Sequence, residues 1–586
     1  MSLPRKRHFI LSNILLYFTI SMFAIIGKFI NSKSQKISSA ALTVAFFGLI
    51  SRIFGLWRDR MLAGEFGAGQ TLDIYYAAFK IPDLVYNLLI VGAISSAFIP
   101  VFHEYLTKDK DDIWKFVGNV LNILLLALLI FSIILILFAP WLIFFIAPGF
   151  DKPSLDLTVK ISRILFLSPL LLGISALISA LLQAHSRFLI TSLAPIFYNL
   201  GIIFGIIFLA PSFGIWGLVY GVILGAFLHF IIQIPSLLNI GFKPKIILDF
   251  KNPGLIKIVK LWFPRTLGLL AFQVNSIVAT AIASSLAIGS IAIFNFADNL
   301  RWVPIGIIGV AFSTAAFPAM SLAYAQGKKD LFLKRFSLAV RQTFFIVIPI
   351  SLLFFVFRAQ IVRIILGTGE FGWDETRLTA AVLGLFSFGI FAAALLPLFT
   401  RAFFAFHNTK TPVFINIISM AINVALSFLF VMTFIKFPIL SHILANFLKV
   451  NDIKGVAILG LPLAITIASI INITWHWFDL KKHVGDFGTF EIKKSLMKII
   501  IASVIGVVFA YGGLYLLNIV FNTRTVFGLF LQTSGAFILA AFGYLTTAFI
   551  LKSEEILMLN MPATFFNWRG IKNPELTPGE SLDDQY

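Results

Sequence analysis

The chain contains no cysteine in 586 residues, which excludes disulfides, thiolate nucleophiles and cysteine-based metal sites together. Charge is scarce as well, at 12% of residues, where a soluble domain carries about 25%. Within that small share acids are the rarer sign, 26 Asp and Glu against 46 Lys and Arg. So little charge excludes a soluble fold. No Walker motif and no glycine-rich phosphate cradle occurs, so ATP is not the direct energy source. An acidic loop run, Asp109, Asp111 and Asp112, stands beside Lys108 and Lys110, and no second Asp-rich loop answers it. A membrane-embedded transferase working on polyprenyl phosphate would need paired carboxylates and a metal, and that constellation is missing. The expectation is a protein that is not an enzyme and holds no metal or cofactor.

What is present is apolar sequence, 59% of the chain. Apolar runs bounded by charge, Pro or Gly fall near 38–58, 72–101, 114–146, 158–183, 188–210 and 214–237. A second series lies near 258–285, 289–322, 333–357, 378–405, 411–435 and 454–478, and two more near 496–520 and 527–551. Each is long enough for a hydrocarbon core of about 30 Å. The expected fold class is all-α, a polytopic membrane protein of about fourteen core helices. The net charge of +20 sits in short loops, a pattern of topology and anionic-lipid contact, so no nucleic-acid partner is expected. Lys243, Lys245, Lys251, Lys257 and Lys260 follow the sixth run, Lys328, Lys329, Lys334 and Arg335 the eighth, and Lys481, Lys482, Lys493 and Lys494 the twelfth. The positive-inside rule then makes the even-numbered connections and the C-terminus cytoplasmic. The connection 436–453 is longer, and Ile439 to Val450 reads as an amphipathic segment on the outer surface. Phe9 to Ile26 reads as an extra helix, with initiation at Met22 as the alternative.

The chain repeats itself. Gly92 to Pro100 matches Gly309 to Pro318, His185-Ser-Arg187 matches His407-Asn-Thr-Lys410, and Gly214-Ile-Trp-Gly217 matches Gly455 to Gly460. Arg52 has a counterpart in Arg265. The offset corresponds to six spans, an even number, so the repeats are parallel, as in transporters that alternate access by rocking two lobes. The expected organisation is an N-terminal extension 1–36, a lobe 37–241 (spans 1–6), a lobe 242–482 (spans 7–12), a helix pair 483–552 and a flexible tail 553–586.

Polar groups at membrane depth single out the candidate site. In Ser51-Arg52-Ile-Phe-Gly55-Leu-Trp-Arg58-Asp59-Arg60, a helical period puts Arg52, Gly55 and Asp59 in nearly one direction, with Arg58 on the flank. A charge there costs about 2.5–3.5 kcal/mol on insertion scales unless it meets a partner or a wet cavity. The last three charges are also where a span would end at the headgroups. Asp73 opens the second span, and Pro82 with Lys80 and Asp83 predicts a broken helix. Asp298 with Arg301 and Pro304 occupies the corresponding place in the second repeat, either facing a cavity or as a pair joining two helices. Arg163 and Arg265 are further cavity candidates. Asn275, Asn416 and Asn423 could bind a cation or simply bond between helices. Proton or sodium coupling through Asp73, Asp298 or Asn275 and direct use of the membrane potential are equally open. The glycines of spans five and six predict close helix packing.

Together these residues resemble the MurJ (MviN) family of lipid II flippases, within the multidrug/oligosaccharidyl-lipid/polysaccharide transporter superfamily. Ser-Arg-x-x-Gly-x-x-Arg-Asp at 51–59 matches its first-helix signature, continued by Phe66-Gly-Ala-Gly69, Asp73, Ala78 to Pro82 and Gly92 to Pro100, then by Ala194-Pro195 with Asn199 and Thr409 to Pro412. The resemblance runs from about Ile37 to Lys552. It implies two lobes, a C-terminal helix pair that grooves the lipid tail, and movement of undecaprenyl-diphosphate-linked peptidoglycan precursor from the inner to the outer leaflet of the cytoplasmic membrane. Arg52 and Arg58 would meet the diphosphate, with Asp59 and Asp73 pairing or resetting them, and Arg265 and Arg301 as further binding residues. The implied partners are that lipid-linked precursor, membrane lipids and the cell-wall synthesis machinery, with the chain acting as a monomer. Tyr86, Val91 and Asn299 stand where the family often has Arg, an acid and Arg. Fewer cations leave open an exporter of another polyprenyl-linked glycan or of amphipathic cations.

Overall fold

A computed structural model describes residues 37–91, 97–106 and 110–559. The expected extra helix at Phe9 to Ile26, the core of the Gly92 to Pro100 motif, Asp109 and the tail beyond 559 lie outside the described residues. Among those described, every regular element is helical. Ten helices are long and apolar enough to cross a membrane, and eleven when the bent pair Trp373–Ser387 and Ile390–Ala405 counts as one span. The remaining expected spans fall in Ile37–Phe66, Gln70–Val85 with Ile99–Tyr105, and Pro253–Ser284, all of which include or adjoin residues or side chains outside the description. The chain is a multi-pass membrane protein. By its contacts it forms two compact units, Met1–Ser285 and Leu286–Tyr586. Pro253–Ser284, expected as the first helix of the second lobe, belongs by contacts to the first unit.

The first unit comprises α1 (Ile37–Phe66), α2 (Gln70–Val85), α3 (Ile99–Tyr105), α4 (Lys110–Ile146), α5 (Lys152–Leu165), α6 (Leu167–Ala184), α7 (Phe188–Phe204), α8 (Ile215–Ile231) and α9 (Pro253–Ser284). Its aromatic core lies where α3 and α4 meet, with the Phe98 and Phe116 rings parallel at 6.1 Å and Tyr105 stacked on Phe116 at 4.0 Å. Helices α7 and α8 touch backbone to backbone. A Cβ on Gly201 would lie 2.3 Å from the Gly225 Cα, and one on Gly205 2.4 Å from the Gly221 Cα. The expected glycine packing is therefore real, and van der Waals contact at this range is what lipid-embedded helices use in place of a hydrophobic drive.

An unforeseen clasp holds the stretch after α8. The extended backbone 245–249 lies along α4, where Asn119 exchanges two hydrogen bonds with Asp249 (Nδ2 to O 2.8 Å, N to Oδ1 2.7 Å). Asn122 donates to the carbonyls of Lys245 and Ile247. The approach needs a glycine, since a Cβ at Gly118 would stand 2.6 Å from the Lys245 carbonyl oxygen. Gly118→Ala should therefore lower stability by about 1–3 kcal/mol, the usual cost of overpacking. Faster proteolysis of 241–252 with a lower unfolding temperature would show it, and an unchanged pattern would refute it. The acids Asp111 and Asp112, expected in a loop, lie in the first turn of α4 and are also partnered, Asp111 with Lys245 (3.1 Å) and Asp112 with Lys115 (3.2 Å).

The second unit comprises α10 (Ser290–Pro304), α11 (Ala311–Ala325), α12 (Lys329–Val356), α13 (Arg358–Ile365), α14 (Trp373–Ser387), α15 (Ile390–Ala405), α16 (Lys410–Lys436), α17 (Pro438–Leu448), α18 (Gly460–Val484), α19 (Thr489–Val520) and α20 (Val526–Ile550). Its core is again aromatic, with Phe336 edge-on to Phe399 (5.0 Å) and Phe487 (5.1 Å). A further turn, Glu554–Leu559, extends order into the stretch expected as a flexible tail.

Each unit carries the same backbone irregularities. Pro82 does not break α2; instead the helix widens just after it into a π turn, Tyr86–Val91, and Pro304 is likewise followed by a π turn, Ile305–Val310. In both units the helix thus continues past its proline and changes pitch on the C-terminal side of it. Left-handed residues end α6 at Ser186 and α15 at His407, with the same six-to-one bonds, Arg187 N to Leu182 O and Asn408 N to Phe403 O. The repeat is thus seen in the backbone, at an offset of roughly 220 residues. It also corrects the pairing by one position, since Ser186 and not His185 corresponds to His407.

Candidate functional site

Arg58 is the centre of the polar cluster in the first unit. Its Nε and Nη2 donate to Oδ1 of Asp59 at 3.0 and 2.7 Å, and its Nη1 donates to Oδ1 of Asn199 on α7 at 3.2 Å. Asn199 in turn donates to the Pro195 carbonyl. A guanidinium has five N–H groups, so among the described residues three are committed and two remain. Asp59 is buried while the Arg58 side chain keeps 24% of its exposure, so the fork is held from behind and open in front. Tyr75, Tyr76, Asp83 and Tyr198 lie within electrostatic reach, and Tyr198 shares a hydrogen bond with Ser168. Asp83 is exposed and Tyr86 half-buried.

Arg52 lies on a different part of α1. It is exposed, and the glycines on its own helical face, Gly48 and Gly55, have nothing within 4 Å of where a Cβ would stand. Arg52 therefore stands between two glycines on a strip of α1 that carries little side-chain bulk. The predicted common direction of Arg52 and Asp59 holds for the helix but not for the surroundings, since Asp59 is buried by the α7 side. Asp73 is buried in the first turn of α2, where a carboxylate complements the helix dipole. Lys80 reaches Ser276 on α9 (Nζ to Oγ 3.0 Å), one residue from the half-buried Asn275. An ammonium so near works against a cation site at Asn275. Arg163 donates to the Ile136 carbonyl (3.2 Å). The Arg265 side chain lies outside the described residues, although its backbone is helical.

In the second unit Asp298 and Arg301 form an ion pair at 2.6 Å. The pair lies within α10 and so does not itself join two helices, but the Arg301 guanidinium also sits 4.2 Å over the Phe386 ring of α14. A cation engaged on both sides is held in place. Asn416 accepts from Asn472 of α18 (3.0 Å), the interhelical bond that the sequence left as one of two readings.

Sequence reasoning missed Asn199 as the group that orients Arg58. A buried carboxamide in an apolar span, four residues after Pro195, was the available signal.

The family model described as "Lipid II flippase MurJ" matches residues 62–534. The chain belongs to this family. The match opens three residues past Asp59, so membership in the MurJ family is established without drawing on Arg52 or Arg58. Among similar proteins, a "Probable lipid II flippase MurJ" of Buchnera aphidicola subsp. Schizaphis graminum is 33% identical over 393 residues, 66% of this chain and 76% of that one. The "Lipid II flippase MurJ" of Burkholderia cenocepacia is 27% identical over 452 residues, 76% of this chain and 83% of that one. A solved structure titled "Lipid II flippase MurJ, inward closed conformation" aligns with TM-score 0.69 at 24% identity, over 87% of this chain and 98% of that one. A MATE multidrug transporter of the MOP superfamily in an inward-facing conformation aligns with TM-score 0.58 at 13% identity, over 74% of this chain and 95% of that one. At these identities the two structures show a shared fold.

Proposed function

We propose that this MurJ-family chain is a flippase that moves lipid II, the undecaprenyl-diphosphate-linked peptidoglycan precursor, from the inner to the outer leaflet of the cytoplasmic membrane. It works as a transporter without a chemical step, by alternating access of two six-span lobes, with its even-numbered core loops on the cytoplasmic side. The observation that carries the reading is the Arg58 fork, fixed at membrane depth by Asp59 and Asn199 with two N–H groups left over. Two parallel donors match the oxygens of a diphosphate. Arg52, exposed on its glycine strip, supplies the second guanidinium, and the acids balance the cations when the headgroup leaves.

The test is depletion of the protein while lipid II on the outer surface is measured. Outward lipid II should fall steeply and return when the chain is supplied again. Unchanged outward appearance would remove the proposal.

One observation favours a second headgroup. Arg58 is already neutralised by Asp59, and Asp83 adds a carboxylate to the same cluster. A less cationic site suits another polyprenyl-linked glycan whose sugars supply more of the binding. Competition of that glycan against lipid II for transport would separate the two.

A further inference from the structure

The connection between α16 and α18 contains a helix whose three faces have three different surroundings. In α17, Ser441, Ala445 and Leu448 are buried against the second unit. Ile439, Ile443 and Phe447 are 77%, 62% and 63% exposed, with Leu440 beside them. His442, Asn446 and Lys449 form the third face and are exposed. At 100° per residue the apolar face is nearly opposite the buried one, and the polar face lies to one side of both. That is the order of surroundings at the rim of a membrane protein, with protein behind, lipid in front and water above.

The position of α17 along the membrane follows from its neighbour. Helix α16 has 27 residues, about 40 Å of rise, more than the hydrocarbon thickness of about 30 Å, so Lys436 at its end reaches the headgroups. Helix α17 begins two residues later, at Pro438. It cannot roll away, because Arg377 near the start of α14 clasps the chain just beyond it. The guanidinium donates to both Asp452 oxygens (2.6 and 2.5 Å) and to the Lys449 carbonyl (2.5 Å). That bonding holds the Asp452 carboxyl below the ordinary carboxylate range, so the clasp persists well into mild acid and is lost only as pH falls through the lowered value.

We propose that α17 is a membrane-interface helix whose partner is the phospholipid bilayer itself, with Ile439, Ile443 and Phe447 seated about 5–10 Å below the headgroup boundary at the end of α16. Through the Arg377 clasp the seated helix fixes the N-terminal end of α14 relative to that leaflet. This does not depend on which headgroup the protein transports.

The absence of cysteine makes a direct test available, because any introduced cysteine is the only one in the chain. Full-length Ile443→Cys and His442→Cys, each labelled with an environment-sensitive fluorophore, are reconstituted in phosphatidylethanolamine/phosphatidylglycerol vesicles. The label at 443 should be quenched several-fold more by shallow spin-labelled lipid than by aqueous iodide, and the label at 442 the reverse. Ile439→Cys serves as a second position on the apolar face should the first variant fold poorly. Strong iodide quenching on the apolar face would overturn the proposal. So would protection from both quenchers, which would mean that a protein partner or a second copy covers that face.

Discussion

Arg52→Ala is expected to abolish transport while leaving the protein folded. Arg52 is exposed on α1 and is flanked on its own face by Gly48 and Gly55, where a Cβ would meet nothing within 4 Å, so truncation should disturb little of the core. Its place at membrane depth costs about 2.5–3.5 kcal/mol on insertion scales, a cost that contact with an anionic headgroup would offset. Two charge-assisted hydrogen bonds to a diphosphate contribute about 3 kcal/mol or more together, so their loss should slow transport by ~100-fold or more. Arg52→Lys should recover part of this, since an ammonium restores the charge but not the two-pronged fork. The readouts are outward lipid II in cells relying on the variant and the unfolding temperature of the purified protein. Near-normal transport, or loss of transport together with loss of the fold, would refute the assignment. Arg58→Ala should behave differently, because it takes the ion-pair partner from the buried Asp59 and so lowers stability as well as transport.

Hydropathy made the membrane class and most of the spans legible, because burial in lipid leaves no alternative to apolar helices whose backbone bonds are internal. Glycine packing of α7 on α8 was legible for a related reason, since small residues in apolar spans have few other uses. What escaped were arrangements decided by geometry that side-chain type does not encode. Pro82 announces an irregular helix, but whether the chain breaks or widens depends on the neighbouring helices, and here Asn87 caps the Asp83 carbonyl while the helix widens into a π turn. His185 and His407 look equivalent as letters, yet the left-handed residue that ends each helix is Ser186 in one repeat and His407 in the other. Asn119, Asn122 and Asn199 read in the sequence as polar residues with no declared partner. Their partners are backbone carbonyls and a guanidinium on distant elements, and nothing local names them. The first-helix arginines were the most legible feature of the candidate site, because charge at that depth demands an explanation. Their surroundings were not, since only the structure shows Arg58 bonded to Asp59 and Asn199 and Arg52 on an exposed part of the helix.

Arg341→Ala should be the most destabilising single change in the second unit, by about 3–5 kcal/mol, the range for removing one partner of a buried ion pair. Arg341 on α12 reaches Glu554 (2.8 Å) and Glu555 (3.3 Å) in the turn after α20. The Glu555 side chain is only 2% exposed, and it also accepts from Ser495 of α19 (2.8 Å) and from Ser553 (2.6 Å). Two helices and the turn after α20 thus converge on one carboxylate, and Tyr544 adds a bond from α20 to the Phe345 carbonyl of α12 (2.6 Å). Without the guanidinium, two hydroxyls alone must hold a buried negative charge, and the α19–α20 pair should loosen from α12. The double variant Arg341→Ala with Glu555→Gln removes the stranded charge and should recover most of the loss, a coupling well above the few tenths of a kcal/mol seen for independent sites. Unfolding temperatures of the four proteins in detergent measure it. Additive losses would mean that the charge pair is incidental and that packing against Tyr544 holds the helix pair. If the α19–α20 pair holds the lipid tail, as expected from the sequence resemblance, the single variant should also lose transport of the long polyprenyl substrate. A short-chain analogue, which needs less of that groove, should be moved almost as before.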